Sequence, residues 1–393
     1  MLILHFSLTP LAGAPIRICK ALSLHVGVVS RFAVLSSQTG SYKKYGFEED
    51  LSWERDKSEI INLAERCDVI HLYNFIDLDS KEFAPISFRR FWDAGKPMVR
   101  QFESVPFLIA KIMKIPISTI YECPIPKLVI PQYPERYFPK AKIVPNIVFG
   151  RSEDNQPQRD EAFIKIGYSP TWFVSARESR WDTKGYPETK KILKHIHNIC
   201  RREGIKAEVD LIEQVSHAEC MRRKSLCDIA IDDLVTGSYH LNTLESLMMG
   251  SASLTYMDGR VIRVLQELTG RSDFPAINVG LEDAEAVLLE LIKNLDLTRE
   301  LGRRSRQWMT EHWDPYNMAK HYIDAYRQVI NDPRKPFPER FSGINAVDHW
   351  CIVDFYDNIW RQRQKRWPRV APKWYLKIRG MIGKILRLLH LRK

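Results

Sequence analysis

Short apolar segments that alternate with amphipathic segments constrain this chain more than any other feature. The first segment, "MLILHFS", is a continuous apolar run of the kind that forms a buried strand. A helical pattern follows in "IRICKALSLH", and the alternation continues through "GVVSRFAVLS", "KSEIINLAERC" and "DVIHLYN". Strands that are apolar on both faces and separated by helices predict parallel βαβ units. The first half of the chain is therefore predicted to form an α/β lobe around a parallel sheet.

The same rhythm returns in the second half after a polar interval. Residues 149–162, "FGRSEDNQPQRDEA", lack apolar periodicity and are predicted to link two domains. Beyond them, "FIKIGYSP", "AEVDLIEQ", "CDIAIDD" and "SASLTYMD" predict further strands with helices between them. The 393 residues are enough for two domains of ordinary size. We predict two Rossmann-like α/β lobes facing across a cleft, 1–148 and 163–331, followed by a basic extension, 332–393, with a helical tail.

Positive charge is concentrated at the C-terminal end. The formal net charge is +11, and residues 361–393 hold twelve Lys or Arg and no Asp or Glu, so residues 1–360 are close to neutral. A near-neutral body argues against nucleic acid as a partner. The seven cysteines form no CxxC pair or Cys/His cluster, and the "DLD" at 77–79 has no supporting ligands. We expect reduced thiols, no metal site and a cytoplasmic protein.

A single carboxylate in an otherwise uncharged helix marks the candidate site. Residues 228–250 read "DIAIDDLVTGSYHLNTLESLMMG": a strand, a polar turn and a helix that contains Glu245. The start of this helix is predicted to face the cleft, where its free amides and positive dipole end favour phosphate. One turn deeper, Glu245 is positioned to accept hydrogen bonds from the two hydroxyls of a ribose. The alternative is a surface glutamate on the one wet stripe of the helix.

This segment resembles the donor-binding signature of GT-B fold glycosyltransferases of the large retaining family that includes sucrose and glycogen synthases (glycosyltransferase family 4, or group 1). The signature is a Glu, seven residues, a second Glu and "A-M-x-x-G-x-P-V"; Glu245 matches the second Glu. The first Glu falls on Gly237, and the small residue at the helix entrance falls on His240. "IDDLVTGSYH" is most similar to the branch that reads "I-D-Q…G-W-Y-G…E-A-M-A", which also lacks the first acid. Asp233 is the candidate substitute, with a routine turn residue as the alternative.

The resemblance implies sugar transfer from a nucleotide sugar to a hydroxyl, with retention of configuration, without metal and without a cofactor. "IGYSPTW…WDTKGYPET" resembles the first strand and loop of the nucleotide lobe, where the family has a diphosphate lysine and a glycine, here Lys184 and Gly185. A lysine on a solvated loop is the alternative. The expected donor-binding residues are Gly13, Ala14, Arg17, Ser169, Thr171, Lys184, Gly185, Gly237, Tyr239, His240, Leu241 and Glu245.

The first lobe offers polar residues at the end of a strand, in "DVIHLYNF", close to the family's "H-x-H-N". His71 is either a polar contact to the transferred sugar or a buried histidine beneath the sheet edge whose hydrogen bonds are made within the protein. Asn74 is expected on the acceptor side. The candidate catalytic residues are thus His71, Lys184 and Asp233, with Lys184 neutralising the departing diphosphate.

The tail "APKWYLKIRGMIGKILRLLHLRK" separates apolar and basic residues at helical period. Residues 373–393 are therefore expected to bind an anionic membrane surface, which makes the protein peripheral on the inner membrane face. The alternative is a helix packed on the protein itself. The function expected is a glycosyltransferase that adds sugar to a sugar or lipid-linked acceptor in surface polysaccharide or glycolipid assembly. A non-catalytic sugar-nucleotide-binding or scaffold protein is the alternative, and a hydrolysing epimerase a third option.

Overall fold

Two parallel β-sheets form the framework of the protein. The computed structural model describes residues 1–36, 45–150, 159, 163–170 and 183–339. The strands of the first sheet are β1 (Leu2–Ser7), β2 (Val29–Val34), β3 (Leu51–Ser52), β4 (Val69–Tyr73), β5 (Met98–Phe102), β6 (Lys127–Val129) and β7 (Ala141–Ile143). The strands of the second sheet are β8 (Ile164–Tyr168), β9 (Ala207–Leu211), β10 (Ile229–Ile231), β11 (Ala252–Thr255) and β12 (Ile277–Asn278). The predicted α/β class with two Rossmann-like lobes is confirmed.

Each sheet reverses its direction of winding near its middle. The strand orders are β3-β2-β1-β4-β5-β6-β7 and β12-β11-β10-β8-β9, and all pairs are parallel. In the second sheet, β8 lies beside β10, with Tyr168 opposite Ile231. The residues that follow these two strands therefore meet at the reversal. Such a point, outside the carboxyl ends of the strands, is where open α/β sheets bind ligands.

Twelve α-helices lie between and after the strands within the described residues. They are α1 (Ala14–Leu22), α2 (Lys57–Arg66), α3 (Phe88–Asp93), α4 (Pro106–Met113), α5 (Ile117–Glu122), α6 (Tyr186–Glu203), α7 (His217–Ser225), α8 (Leu241–Met248), α9 (Gly259–Thr269), α10 (Ala284–Lys293), α11 (Leu295–His312) and α12 (Pro315–Asn331). Short 3₁₀ turns occupy Leu11–Gly13 and Tyr133–Tyr137. Gly204 ends α6 at a φ of +69°, the left-handed conformation that glycine adopts readily. In this part of the chain every helix is too short or too polar to span a bilayer.

The last helix, α12, connects the two lobes. Although the sequence assigned 163–331 to the second lobe, α12 packs against the first. Tyr322 Oη donates to Pro145 O at 2.9 Å, and Tyr326 Oη lies 2.8 Å from His71 Nδ1. Both tyrosines belong to a buried cluster that also includes Ile3 of β1 and Leu244 of α8. One hydrophobic core is therefore shared by both lobes.

The predicted tail helix, 373–393, lies outside the described residues, as does most of the predicted 149–162 linker.

Candidate donor site between the lobes

A cavity of about 300 Å³ lies between the two lobes at the carboxyl ends of their strands. The first lobe lines it with Leu11, Ala12, Ala14, Glu103, Ile130, Gln132 and Asn146. The second lobe lines it with Tyr168, Ser169, Pro170, Thr183, Lys184, Asp232, His240, Leu241 and Asn242. Five residues predicted to bind the donor are thereby brought together: Ala14, Ser169, Lys184, His240 and Leu241. This cavity is the candidate donor site.

Lys184 presents a cation to the cavity from a strained turn. Its φ is +52°, and the φ of the next residue, Gly185, is +74°. A Cβ at Gly185 would lie 2.6 Å from Val235 Cγ2, so this position requires glycine. A left-handed lysine costs about 1 kcal/mol or more. Among the residues that the structure describes, none makes a hydrogen bond or ion pair with Lys184 Nζ, which leaves this cation available to an anion.

The start of α8 presents backbone donors to the same cavity. Asp232 Oδ2 accepts from the N–H groups of His240 at 3.0 Å and Thr243 at 3.2 Å. The N–H groups of Leu241 and Asn242 have no acceptor within the described part of the chain. Both residues line the cavity. A helix N-terminus with free N–H groups favours an anion, although the Asp232 carboxylate already offsets part of its positive field.

His240 and Asp233 form a dyad at the edge of the cavity. His240 Nε2 lies 2.9 Å from Asp233 Oδ2. Asp233 also accepts from Val235 N at 2.8 Å and Thr236 N at 2.9 Å, and from the Thr236 hydroxyl. Burial opposes ionisation of Asp233, but the His240 hydrogen bond and the charges of His240 and Lys184 outweigh it and lower its pKa. Asp233 is therefore a carboxylate that holds His240.

This geometry differs from the role expected of Asp233 as an acid at the donor sugar. Its side chain is fully buried, and it does not line the cavity. Each of its two oxygens already accepts two hydrogen bonds from the protein, so neither oxygen is directed at a ligand. His240, rather than Asp233, reaches the cavity.

Glu245 lies deeper than the cavity and binds three basic side chains. Its Oε2 accepts from Lys224 Nζ at 2.6 Å. Its Oε1 is 3.3 Å from Arg17 Nη1 and 3.2 Å from His217 Nε2. Burial opposes ionisation of Glu245, but the Lys224 charge and the His217 hydrogen bond outweigh it, so its pKa is well below the ordinary value. A ribose hydroxyl would reach Oε1 only by replacing Arg17 or His217, so ribose binding remains a prediction.

Arg17 is therefore directed away from the phosphate that the sequence assigned to it. Besides Glu245, it donates to Ala12 O at 2.6 Å. Gly13, with a φ of +77°, precedes α1, and a Cβ there would lie 3.2 Å from the Phe47 ring. Gly13 thus allows this turn to pack, but it does not line the cavity.

His71 lies in the core of the first lobe. It is 0% exposed, and its Nδ1 is hydrogen-bonded to Tyr326. Its ring stacks on Tyr73 with centroids 4.4 Å apart. Burial, helped by neighbouring His5, lowers the pKa of His71 well below its ordinary value, so it stays neutral. In this conformation His71 is enclosed by protein, away from the cavity in which a sugar would bind.

The remaining predicted residues have local structural roles or are not described. Tyr239 is fully buried, and its ring centroid lies 5.9 Å from that of Phe274 and 6.2 Å from that of Trp313. Gly237 has a φ of +73° in the turn before α8. Thr171 lies outside the described residues. Asn74 is buried and accepts from the N–H of Glu103 at 2.7 Å, so it supports a residue that does line the cavity.

Sequence motifs did not identify Glu103 or Lys224 as site residues. Glu103 directly follows β5, and its place at the end of a strand is the one signal that could have pointed to it. Burial raises the pKa of Glu103 to about 7, although the Gln101 amide and the Arg17 charge both lower it. Lys224, on α7, is 5% exposed and pairs with Glu245. Nothing in "MRRKSLC" distinguishes this lysine from its solvated neighbours.

Within the described ranges, no three His, Cys, Asp or Glu side chains come together as a metal site requires. Among the residues that the structure describes, the arrangement offers one unpaired cation, two free helix N–H groups, a histidine held by a carboxylate and a carboxylate from the opposite lobe. These groups can bind a diphosphate and present a hydroxyl to it.

The sequence matches no protein-family model and no curated protein. Among solved structures, sucrose-phosphate synthase from Thermosynechococcus elongatus aligns with a TM-score of 0.51 and 10% identity over 84% of this chain and 99% of that one. HepE from Anabaena, in complex with UDP, aligns with a TM-score of 0.49 and 10% identity over 83% and 99%. A Rickettsia africae glycosyltransferase aligns with a TM-score of 0.48 and 12% identity over 84% and 99%. At this identity the likeness shows the fold, which is the two-lobed GT-B fold of glycosyltransferases.

Proposed function

We propose that this protein transfers a sugar from a nucleoside diphosphate sugar to a hydroxyl acceptor. The observation that carries the proposal is the Lys184 cation, which lines the interlobe cavity together with Leu241 and Asn242. Neither this cation nor the N–H groups of Leu241 and Asn242 have a partner among the described residues. A fold alone hosts many activities, so the proposal depends on this site. The motif resemblance around Glu245 and "KGYPET" supports it independently.

The second lobe would stabilise the departing diphosphate. As the bond between the anomeric carbon and the phosphate oxygen breaks, negative charge grows on that oxygen. Lys184, the N–H groups of Leu241 and Asn242, and His240 surround the space in which this charge would develop. Asp232 adds an opposing charge, which Lys184 offsets. The proposal includes neither a metal ion nor a cofactor, and it includes retention of configuration, as the resemblance implies.

A panel of UDP-, GDP- and dTDP-sugars tests this function. The full-length protein should bind one of them in calorimetry and release its nucleoside diphosphate. Lys184→Ala should lower kcat by about a hundredfold, the usual cost of losing one transition-state donor. Lys191→Ala removes an exposed lysine of α6 and should match the wild type. Binding without turnover would favour the non-catalytic alternative, and the absence of binding to the whole panel would contradict both.

The basic tail is proposed to bring the protein to an anionic membrane surface, where a lipid-linked acceptor would lie. Each basic residue near such a surface contributes about 1 kcal/mol, and salt screens this share. Full-length protein should bind vesicles that contain phosphatidylglycerol, less tightly as salt rises, and a chain ending at Trp360 should not. Equal binding by the two chains would contradict the proposal.

A further inference from the structure

Glu103 brings a carboxylate into the cavity from the first lobe. It follows the last residue of β5, Phe102, at the edge of the sheet that faces the second lobe. It lines the same cavity as Lys184 and His240. A carboxylate and a cation from opposite lobes therefore share one cavity.

The backbone around Glu103 fixes its position. Its N–H donates to Asn74 Oδ1 at 2.7 Å. Asn74 has a φ of +36°, its N–H donates to Gln101 O at 2.9 Å, and its carbonyl accepts from Arg100 Nη2 at 2.6 Å. A left-handed conformation outside glycine costs about 1 kcal/mol or more and persists only where surrounding contacts impose it. Asn74 is thus held in a strained conformation that supports the Glu103 backbone.

The carboxylate of Glu103 is oriented through one oxygen. Gln101 Nε2 donates to Oε1 at 2.7 Å. Within the described residues, Oε2 accepts no hydrogen bond, and no Lys, Arg or His forms an ion pair with Glu103. Arg17, the basic side chain whose charge acts on Glu103, is bound to Glu245 instead. A partly buried carboxylate without an ion pair is costly, and such groups cluster at functional sites.

We infer that Glu103 binds the acceptor hydroxyl and takes its proton during transfer. This inference rests on the proposed function and adds the residue that activates the acceptor. The hydroxyl oxygen forms a bond to the anomeric carbon, and its proton passes to Glu103. The bond from the anomeric carbon to the diphosphate oxygen breaks, and its electron pair leaves with the nucleoside diphosphate. Glu103 then returns the proton to solvent.

The shared cavity brings the two groups that the step needs into one place. Glu103 and Lys184 both line it, so acceptance of the hydroxyl proton and neutralisation of the diphosphate charge are both available there.

The pKa of Glu103 sets the pH above which it can accept the proton. Burial raises its pKa to about 7, against the opposing effects of Gln101 and Arg17. The other titratable side chains around it come from β4, α12 and the second lobe: Tyr73, Tyr322, Lys184, Asp232 and His240. A carboxylate must be ionised to accept a proton, so kcat/KM should fall as the pH drops through about 7. This fall is the acid limb of the pH profile.

The experiment compares full-length wild type, Glu103→Gln, Glu103→Ala and the control Glu122→Gln, which changes an exposed carboxylate of the same lobe. The donor is the sugar nucleotide that the wild type turns over, with water as acceptor. Glu103→Gln should lower kcat by about a hundredfold or more, lose the acid limb near pH 7 and keep nucleoside diphosphate affinity within about twofold. Glu122→Gln should match the wild type throughout.

Azide separates proton removal from other roles, because it attacks without a proton to lose. Azide should restore turnover to Glu103→Ala and give a glycosyl azide that mass spectrometry detects. Azide should not restore turnover to Lys184→Ala, because that variant lacks the cation that stabilises the departing diphosphate. Glu103→Asp keeps the carboxylate, so it should retain an acid limb at a lower rate.

The inference is overturned if Glu103→Gln keeps the wild-type rate or the acid limb, or if azide fails to restore Glu103→Ala while its nucleotide affinity is normal. If the glutamine and alanine variants do not fold, loss of the acid limb in Glu103→Asp overturns it. Absence of turnover in the wild type would instead contradict the proposed function itself.

Discussion

Glu245 on α8 of the second lobe forms an ion pair with Arg17 on α1 of the first lobe, with 3.3 Å between Oε1 and Nη1. The two side chains are 7% and 13% exposed. The same carboxylate pairs with Lys224 Nζ, whose side chain is 6% exposed. One glutamate therefore compensates buried positive charge from both lobes.

Replacing Glu245 should destabilise the fold. Glu245→Gln leaves Lys224 and Arg17 without their counter-charge, and losing one partner of a buried ion pair costs about 3 kcal/mol or more. Urea unfolding at neutral pH measures this loss. Glu219→Gln, which breaks an exposed pair with Arg222 on α7, should cost less than about 1 kcal/mol. Equal losses in the two variants would contradict the assigned role of Glu245.

The same cluster predicts a pH dependence of stability. The folded pKa of Glu245 is well below its ordinary value, because Lys224 and His217 outweigh the effect of burial. Its stabilising contribution is thus fully present above the unfolded pKa of about 4.3 and is lost as the pH falls towards the folded pKa. The stability difference between wild type and Glu245→Gln should therefore shrink between pH 6 and pH 3 in urea titrations. A difference that stays constant over this range would show that the charge of Glu245 is not what stabilises the fold.

His240 and Asp233 should act as one unit in turnover. Since Asp233 accepts from Nε2, it fixes the ring that reaches the cavity. His240→Ala and Asp233→Asn should each lower kcat, and the double variant should be little worse than His240→Ala alone, with a coupling energy of about 1–3 kcal/mol. Steady-state kinetics of the four proteins measures this coupling. Additive losses would mean that Asp233 affects the site by another route.

Tyr326→Phe should affect stability but not catalysis. It removes the hydroxyl that lies 2.8 Å from His71 Nδ1 and leaves that buried nitrogen without its partner. The expected loss is about 1–2 kcal/mol of unfolding free energy, with kcat unchanged. Thermal unfolding and turnover are measured on the same preparation. A fall in kcat at unchanged stability would restore a catalytic role to His71.

The two-lobed architecture could be predicted from the sequence because apolar periodicity is local. A strand of a parallel sheet is buried on both faces, so it is apolar along its whole length. Continuous apolar segments such as "MLILHFS" can therefore be recognised in the sequence. Lys184 was also recognisable, because its "KG" resembles the diphosphate motif of the family. The structure adds that Gly185 has the positive φ that a glycine tolerates. The polar residues that follow β8 and β10 were placed at the cleft because open α/β sheets bind ligands at the carboxyl ends of their strands.

Only the tertiary structure decided which groups those side chains meet. Glu245 and Arg17 are 228 positions apart, and Lys224 arrives from a third element, so no local pattern shows that the carboxylate is already occupied. Glu103 and Asp233 are both acids that follow a strand. Asp233 is closed off by the turn after β10, whereas Glu103 remains open to the cavity. Residue type and strand position can be read from the chain, but ion pairing and solvent exclusion depend on packing between distant segments, which exists only once the lobes have come together.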